Sequence, residues 1–240
     1  MKKFSYLCTM FIEPIAHFHS PLTSKFGIPR QSGLANGVKG EIVFVPRYRH
    51  EEAVRGLEHF DYLWLIWEFS ANMNHETFNY DGFSGKLTVR PPRLGGNERV
   101  GVFASRSPFR PNGLGLSCVH INKIEMHDSL GPVIHVDGAD LMDGTPIYDV
   151  KPYVVYADSH PEARSGFVDE RGWTMLKVEF PEALAARISP EELEGLRQVL
   201  ALDPRPQYHH DPERVYALSW KCRDVRFKVD GEVLTVVGID

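Results

Sequence analysis

Six cationic side chains lie within one segment of the chain, which runs from Lys86 to Ser117. They are Lys86, Arg90, Arg93, Arg99, Arg106 and Arg110, and Glu98 is the one acidic residue in the same stretch. The whole protein carries a formal net charge of -5, so this segment is strongly basic in an otherwise acidic chain. Guanidinium groups concentrated in this way indicate a binding site for an anion.

Two further stretches carry side chains suited to binding a polar ligand. In Gly27-Ile28-Pro29-Arg30-Gln31, a rigid proline precedes a cation and an amide, an arrangement typical either of a ligand-binding loop or of an ordinary turn. Asp140-Leu141-Met142-Asp143-Gly144-Thr145 is an acidic turn. Its aspartates could bind a ligand, or they could bond their own backbone.

Several other chemistries lack the required residues. The sequence has no Gly-x-Gly-x-x-Gly or Gly-Lys-Ser/Thr motif, which argues against a dinucleotide fold and a phosphate-binding loop. Gly113-Leu-Gly-Leu-Ser117 lacks the order of a hydrolase nucleophile elbow. The histidine pairs His17/His19 and His209/His210 have no carboxylate or cysteine at metal spacing beside them, so we expect no metal site.

The elements that must position these residues are mostly short strands separated by turns. We predict strands over Phe11–Phe18, Glu41–Val45, Tyr62–Phe69, Thr88–Arg90, Val100–Ala104, Leu116–Met126, Val133–Val136 and Pro146–Val150, with one short helix over Glu51–Leu57. Tyr62–Phe69 is so apolar that we expect it to be buried on both faces, with Trp64 and Trp67 in the core. This pattern predicts a closed or nearly closed β-barrel.

Composition changes after Ala157, where a polar, turn-rich stretch begins. A strand is predicted over Thr174–Phe180, and a helix starts at an N-cap, Ser189, and runs to about Leu202. Three strands follow, over Val215–Trp220, Asp224–Val229 and Val233–Val237. The fold class is therefore mainly β: a small single-sheet barrel over residues 1–158, followed by a small α+β domain over residues 159–240.

The size and cysteine content agree with a protein that folds around a sizeable core. The chain has 240 residues, of which 42% are hydrophobic, and its three cysteines are odd in number and have no Cys-x-x-Cys spacing. Glu13 and Pro14 interrupt the apolar start, so it does not match a secretory signal, and no apolar run approaches the length of a membrane span. We expect a cytoplasmic protein.

A resemblance to a known family is carried by five motifs in order along the chain. They are Pro29-Arg30-Gln31, Val89–Asn97, Phe109-Arg110-Pro111-Asn112, Asp140–Thr145 and Asp203-Pro204-Arg205-Pro206. Together they resemble the TsaA-like family, in particular its TrmO-type, S-adenosylmethionine-dependent tRNA methyltransferases. The resemblance implies a small β-barrel that binds the methyl donor near a homodimer interface, a smaller C-terminal domain, and methylation of N6 of threonylcarbamoyladenosine at position 37 of a tRNA, which we expect to be threonine tRNA.

The same resemblance implies which residues contact the methyl donor. They are Pro29, Arg30, Gln31, Ser70, Ala71, Arg106, Leu116, Asp140, Leu141, Met142 and Asp143. The resemblance implies His-Gln in some relatives at the positions where this chain has Ser70-Ala71. The contacts there are therefore expected from the backbone. Arginines suit the donor carboxylate, aspartates suit its ammonium and ribose hydroxyls, and Leu116, Leu141 and Met142 suit its adenine.

For the acceptor, we hypothesise that Asp143 is the base or orienting carboxylate. Residues expected to bind the tRNA are Arg90, Arg93, Arg110, Lys151, Arg205 and Tyr208. For Arg205 and Tyr208, a role in domain packing is an equal alternative. The net charge of -5 counts against an RNA partner, but the basic segment partly answers that objection. Two other functions remain open: a non-catalytic RNA- or nucleotide-binding module, and a methyltransferase with a small-molecule acceptor.

Overall fold

Short strands dominate the structure, a computed structural model that describes residues 11–72, 87–95, 98–170, 172, 174–206, 209 and 211–240. The strands are β1 Ala16–His19, β2 Lys39–Phe44, β3 Tyr62–Glu68, β4 Thr88–Val89, β5 Val100–Gly101, β6 Leu114–His127, β7 Gly131–Asp137, β8 Pro146–Pro152, β9 Lys177–Glu179, β10 Tyr216–Trp220, β11 Arg223–Asp230 and β12 Val233–Ile239. The helices are α1 Val155–Asp158, α2 Phe167–Glu170, α3 Glu182–Ala185 and α4 Pro190–Ala201. Among the described residues, no helix is long and apolar enough to cross a membrane.

Six strands close into a barrel in the order β1-β2-β7-β6-β3-β8, with β8 pairing back onto β1. All of these pairings are antiparallel. Alternate side chains point inward, and Phe18, Ile42, Leu65 and Ile134 are almost fully buried in the barrel core. The predicted β-barrel is confirmed.

Strand β3 differs from its prediction. Its burial alternates, with Leu63, Leu65 and Trp67 inside the barrel, while Tyr62 is exposed and Trp64 is half-buried. The expectation that both faces are buried, and that Trp64 belongs to the core, was wrong. A barrel strand has only one inner face, so Tyr62 and Trp64 lie on the outer face. Their rings pack against Tyr153, which covers them only in part.

Several other predicted elements are shorter or different in kind, among them the strand predicted over Thr174–Phe180, which is limited to Lys177–Glu179. The first strand begins at Ala16, two residues after Pro14, instead of at Phe11. The helix predicted over Glu51–Leu57 is replaced by two 3₁₀ turns, Glu51–Ala53 and Leu57–His59. The strand predicted over Val100–Ala104 ends at Gly101 and continues as a 3₁₀ turn over Val102–Ala104.

A second sheet forms in the C-terminal part, in the order β10-β11-β12-β9. β9 joins β12 in parallel, and the other two pairings are antiparallel. Helix α4 packs on this sheet through Leu196, Val199 and Leu200. Its start is capped as predicted, because Ser189 Oγ accepts a hydrogen bond from the Glu192 N–H.

The loop between β1 and β2 links the two parts of the molecule. Leu22, Ala35 and Val38 lie in the C-terminal core together with Leu196 and Trp220. Leu22 forms an isolated bridge with Trp220, and the Lys221 N–H donates to Pro21 O at 2.6 Å. The position of this loop is therefore fixed by the barrel and by the C-terminal sheet together.

One rim of the barrel collects the loops that carry the predicted ligand-binding motifs. Strands β1, β3 and β7 end at this rim, and the antiparallel partners β6 and β8 begin there. The β1–β2 loop contains Pro29-Arg30-Gln31, the β7–β8 turn contains Asp140–Thr145, and residues 102–113 lead into β6. The topology alone thus brings three distant motifs to one place.

Candidate active site

A side-chain contact joins the basic segment to the Pro-Arg-Gln loop. Arg106 donates from Nη1 to Gln31 Oε1. Arg106 also lies close enough to Asp140 to favour its ionised form. We use the name rim cluster for Gln31, Ser32, Arg106, Ser117, Asp140 and Asp143.

Asp140 is the centre of a hydrogen-bond network that reaches into the barrel core. Ser117 Oγ donates to Asp140 Oδ1 at 2.5 Å and accepts from Trp67 Nε1 at 3.0 Å. The backbone of Ser32 lies close enough to the Asp140 carboxylate to favour its charged form. Ser117 and Trp67 are both buried, so the network holds Asp140 in one orientation at the rim.

The pKa of Asp140 reflects two opposing effects. Burial disfavours its charged form and raises the pKa above its ordinary value. Hydrogen bonds from Ser117 and from backbone N–H groups, together with the charge of Arg106, oppose that effect. A partly buried carboxylate of this kind is well placed to accept hydrogen bonds from ligand hydroxyl or ammonium groups.

Asp143 lies three residues further along and is more open, with 41% of its side chain exposed. Its Oδ1 accepts from the Ser20 N–H at 3.1 Å and lies 3.2 Å from His19 Nδ1. The turn itself is closed by Thr145, which donates its N–H and its hydroxyl to Met142 O. Asp143 therefore connects the acidic turn to the β1–β2 loop and still presents an accessible carboxylate.

The other residues predicted to contact the donor differ in what they can offer. Leu116 is 57% exposed and presents an apolar surface, whereas the Leu141 side chain is fully buried in the barrel core and leaves only its backbone available. Met142 is half-buried. Ser70 and Ala71 form a 3₁₀ turn directly after β3, at the same rim.

Pro29 and Arg30 border a cavity of about 210 Å³ between the β1–β2 loop and the end of α4. Pro29 is buried and Arg30 is exposed. The opposite wall contains Leu202, followed by Asp203 and Pro204 of the Asp-Pro-Arg-Pro motif. This cavity places that C-terminal motif next to the Pro-Arg-Gln loop.

The residues predicted to bind the substrate fall into two groups. Arg90 and Lys151 are exposed, and Arg110 is half-buried, with its Nη1 donating to Ser105 O at 2.6 Å. Arg205 is only 12% exposed in its side chain, and its Nε donates to both carboxylate oxygens of Asp203. That burial favours the packing role for Arg205. The Arg93 side chain and Tyr208 lie outside the described residues.

Sequence reasoning missed five residues that shape this site: His19, Ser20, Ser32, Trp67 and Ser117. A serine in a strand has no spacing that indicates partners 23 and 50 residues away. Two residues of a long loop likewise give no indication of partners more than 100 residues away. The glycine at position 115 is one sign in the sequence that another group approaches the backbone of β6 closely. An added Cβ there would lie 2.3 Å from the Trp67 ring, so the glycine is what allows the indole to lie against β6.

The fold and the rim cluster define a class of protein: a small closed β-barrel with a binding site at one rim. The site combines an exposed arginine, a partly buried carboxylate, an accessible carboxylate and an exposed leucine. That set of groups fits a zwitterionic ligand with hydroxyls and an aromatic ring.

Comparison with known proteins identifies the family. The sequence model described as the tRNA-methyltransferase O N-terminal domain matches residues 17–159, and the model described as the TrmO C-terminal domain matches residues 174–240. The chain belongs to this family and is a methyltransferase.

Relatives and solved structures agree with the assignment. The tRNA (adenine(37)-N6)-methyltransferase of Escherichia coli is 37% identical over 233 residues, which cover 90% of this chain and 95% of the relative. A Pseudomonas aeruginosa protein with the provisional name S-adenosylmethionine-dependent methyltransferase RcsF is 37% identical over 227 residues, covering 91% and 92%. A crystal structure of TrmO from P. aeruginosa has a TM-score of 0.76 at 29% identity and covers 98% of both chains.

Proposed function

We propose that the protein transfers the methyl group of S-adenosylmethionine to N6 of adenine 37 in a tRNA. The acceptor nucleoside is threonylcarbamoyladenosine, and the tRNA is threonine tRNA. The observation that carries this proposal is the rim cluster, because Arg106, Gln31, Asp140 and Asp143 come from three separate stretches and meet at one barrel rim. The names of the E. coli and P. aeruginosa relatives support the same reaction and the same donor.

The donor fits the groups at the rim. Arg106 and Arg30 suit the methionine carboxylate, and Asp140 suits ribose hydroxyls or the ammonium group. Leu116, Met142 and the backbone of Leu141 suit the adenine, while Pro29, Gln31, Ser70 and Ala71 shape the remaining walls. When bound, the donor supplies an activated methyl group, so the protein's main contribution is alignment of the acceptor nitrogen.

The acceptor nitrogen presents the chemical difficulty. In threonylcarbamoyladenosine, N6 is bonded to a carbonyl carbon, so its lone pair is delocalised and its proton must be removed or shifted. Asp143 is the accessible carboxylate of the cluster, and His19 and the Ser20 N–H orient it. We assign the proton-accepting or orienting role to Asp143. The N–C bond then forms as the methyl–sulfur bond breaks.

The tRNA requires cations near the rim and on the adjoining barrel wall. Arg90 and Arg110 lie in the basic segment, and Lys151 lies on the outer face of β8. We propose that they hold the threonyl carboxylate and nearby phosphates, together with Arg93. We assign Tyr208 to a base or phosphate contact, and Arg205 to packing through Asp203. A cytoplasmic homodimer, with the domain boundary near residue 158, completes the proposal.

Methyl transfer to tRNA tests the function. The protein is incubated with methyl-labelled donor and with tRNA that contains or lacks threonylcarbamoyladenosine. We expect label only in the tRNA that carries the modification. Donor binding without transfer to any RNA would instead indicate a small-molecule acceptor, and RNA binding without donor binding would indicate a non-catalytic module.

Replacement of Asp143 by Asn tests its role. The variant keeps the size of the side chain and loses its basicity, so we expect turnover to fall by about 10²–10⁴-fold while donor affinity persists. The measurements are single-turnover methylation and calorimetric donor binding. Unchanged turnover would exclude the role as base, and loss of donor binding would make Asp143 a donor ligand instead.

A further inference from the structure

A cluster of metal-ligand residues lies on the barrel wall, away from the rim cluster. Glu125 and His127 are two residues apart near the end of β6, and His135 lies on the neighbouring strand β7. One ligand atom from each of the three lies within 4.8 Å of the others. None of the three belongs to the methyltransferase site described above.

The orientation of His135 is the second observation. Its Nε2 lies 3.3 Å from Glu125 Oε2, yet it is buried and makes no hydrogen bond within the part of the chain that the structure describes. Its Nδ1 lies 3.4 Å from Glu41 Oε1 on β2, directly across the β2–β7 pairing. A carboxylate that accepts the Nδ1–H of a histidine leaves the Nε2 lone pair free for a metal.

From this arrangement we infer that, contrary to the expectation from the sequence, Glu125, His127 and His135 bind one Zn²⁺-class transition metal ion, with Glu41 as the orienting carboxylate. Two imidazoles and one carboxylate are ligands that Zn²⁺ accepts, and they leave a fourth position for water. Because the ligands come from β6 and β7 and their orienting group from β2, the ion joins three neighbouring strands of the barrel. It stabilises the barrel wall and takes no part in methyl transfer.

Lys123 is the competitor for this site. Its ammonium contacts Glu125 Oε2, the same oxygen that faces His135. In the metal-free protein, Lys123 therefore binds the Glu125 carboxylate and balances its negative charge. Removal of Lys123 should free Glu125 for the metal, an effect opposite in sign to that of removing a ligand.

The test is calorimetric titration of the full chain with Zn²⁺, with Co²⁺ absorption to report the geometry. We expect one ion per chain and a rise in Tm with added Zn²⁺. His135→Ala should abolish this binding, Glu41→Gln should weaken it about tenfold, and Lys123→Ala should tighten it. The control His59→Ala removes an exposed histidine that lies 3.8 Å from Glu58, and it should bind as the wild type does.

Three results would overturn the inference. They are the absence of saturable binding at one ion per chain, equal affinity in the wild type and in His135→Ala, and unchanged affinity in Lys123→Ala. Because Lys123→Ala is expected to gain affinity, a variant that merely misfolds cannot imitate the predicted pattern. Methylation of tRNA serves as an independent readout and should be the same with and without Zn²⁺.

Discussion

At the scale of single residues, Ser117 determines how Asp140 is presented. It is 1% exposed and makes two hydrogen bonds, one to Asp140 and one from Trp67. A buried carboxylate is costly unless its oxygens are paired, so the serine hydroxyl contributes both to stability and to the geometry of the rim cluster. We interpret Ser117 as a positioning residue that acts through Asp140.

Replacement of Ser117 by Ala tests this interpretation. The change leaves the Trp67 N–H without an acceptor and removes one hydrogen bond to the Asp140 carboxylate. The free energy of unfolding should therefore fall by about 2–3 kcal/mol. Donor affinity should fall as well, because Asp140 is no longer held in place. Urea denaturation and calorimetric donor titration measure the two effects. Ser129→Ala, at an exposed turn, should change neither, and full donor affinity in Ser117→Ala would contradict the role.

The sequence could single out the two aspartates and Gln31 because they fall in motifs of recognisable order, and Arg106 because it lies in the basic segment. Ser117 could not be predicted, since its partners Trp67 and Asp140 are distant in sequence and a serine in a strand is unremarkable by itself. Arg205 shows that a residue can be found from its motif while its partner cannot. Its motif marked it as important, but only the structure shows that Asp203 binds its guanidinium.

At the scale of elements, the pairing of β3 with β8 is reinforced next to the rim. Tyr148 Oη donates to Glu68 Oε2 at 2.7 Å, close to a break in the register between Ile66 and Trp67. Burial, with the added effect of the Glu68 charge, raises the pKa of Tyr148 to about 12. This bond therefore ties the end of β3, and the Ser70–Ala71 turn that follows it, to the start of β8.

The difference in stability between the wild type and Tyr148→Phe should depend on pH in a defined direction. The folded pKa lies above the unfolded value of about 10, so the tyrosine contributes its full stabilisation below pH 10 and loses it as pH rises towards 12. At pH 7 the variant should be less stable by about 1 kcal/mol. Urea denaturation of both proteins from pH 7 to pH 11 measures the difference, and a gap that widens at high pH would contradict the assignment.

Helix α4 approaches the β1–β2 loop at a contact between two glycines. A Cβ added at Gly195 would lie 2.5 Å from Gly37 O, and the Gly37 N–H donates to Gln198 Oε1 at 2.7 Å. The short distance between the two backbones requires glycine at position 195. This contact fixes the helix against the loop that carries Pro29, Arg30 and Gln31.

Gly195→Ala should therefore destabilise the protein, although alanine is the better helix former by about 1 kcal/mol. The clash is with backbone, which cannot move away as a flexible side chain can, so we expect a net loss of about 1–3 kcal/mol. Gly172→Ala is the matched control, because nothing lies within 4 Å of its added Cβ. An increase in Tm for Gly195→Ala would show that the loop and the helix are not held this closely.

Alternating and apolar patterns predicted most strands, but they could not give the limits of β1 or the burial of β3. Closure of the barrel through β1 and β8 is a pairing of segments more than 120 residues apart, and no local pattern specifies it. The outward position of Trp64 follows from that closure. An apolar run in a barrel has one inner face, whatever its composition.

At the scale of the whole molecule, the β1–β2 loop links the rim cluster, which is the proposed donor site, to the C-terminal domain. It supplies Gln31 and Ser32 to the rim cluster, and it supplies Leu22, Ala35 and Val38 to the C-terminal core. A change in the C-terminal domain can thus reach the rim cluster through this loop. The sequence divides the chain near residue 158, but it gives no indication that a loop from the first part completes the core of the second.

Binding of S-adenosylmethionine to the wild type, Asp140→Asn and Asp137→Asn tests most directly whether the rim cluster is the donor site. Asp137 is the matched control, because it is a partly buried carboxylate only three residues away that bonds Asn122 and Lys39 outside the cluster. Calorimetry should give one donor per chain, affinity reduced at least about tenfold in Asp140→Asn, and affinity close to wild type in Asp137→Asn. Equal donor affinity in the wild type and Asp140→Asn, with both folded, would contradict this assignment.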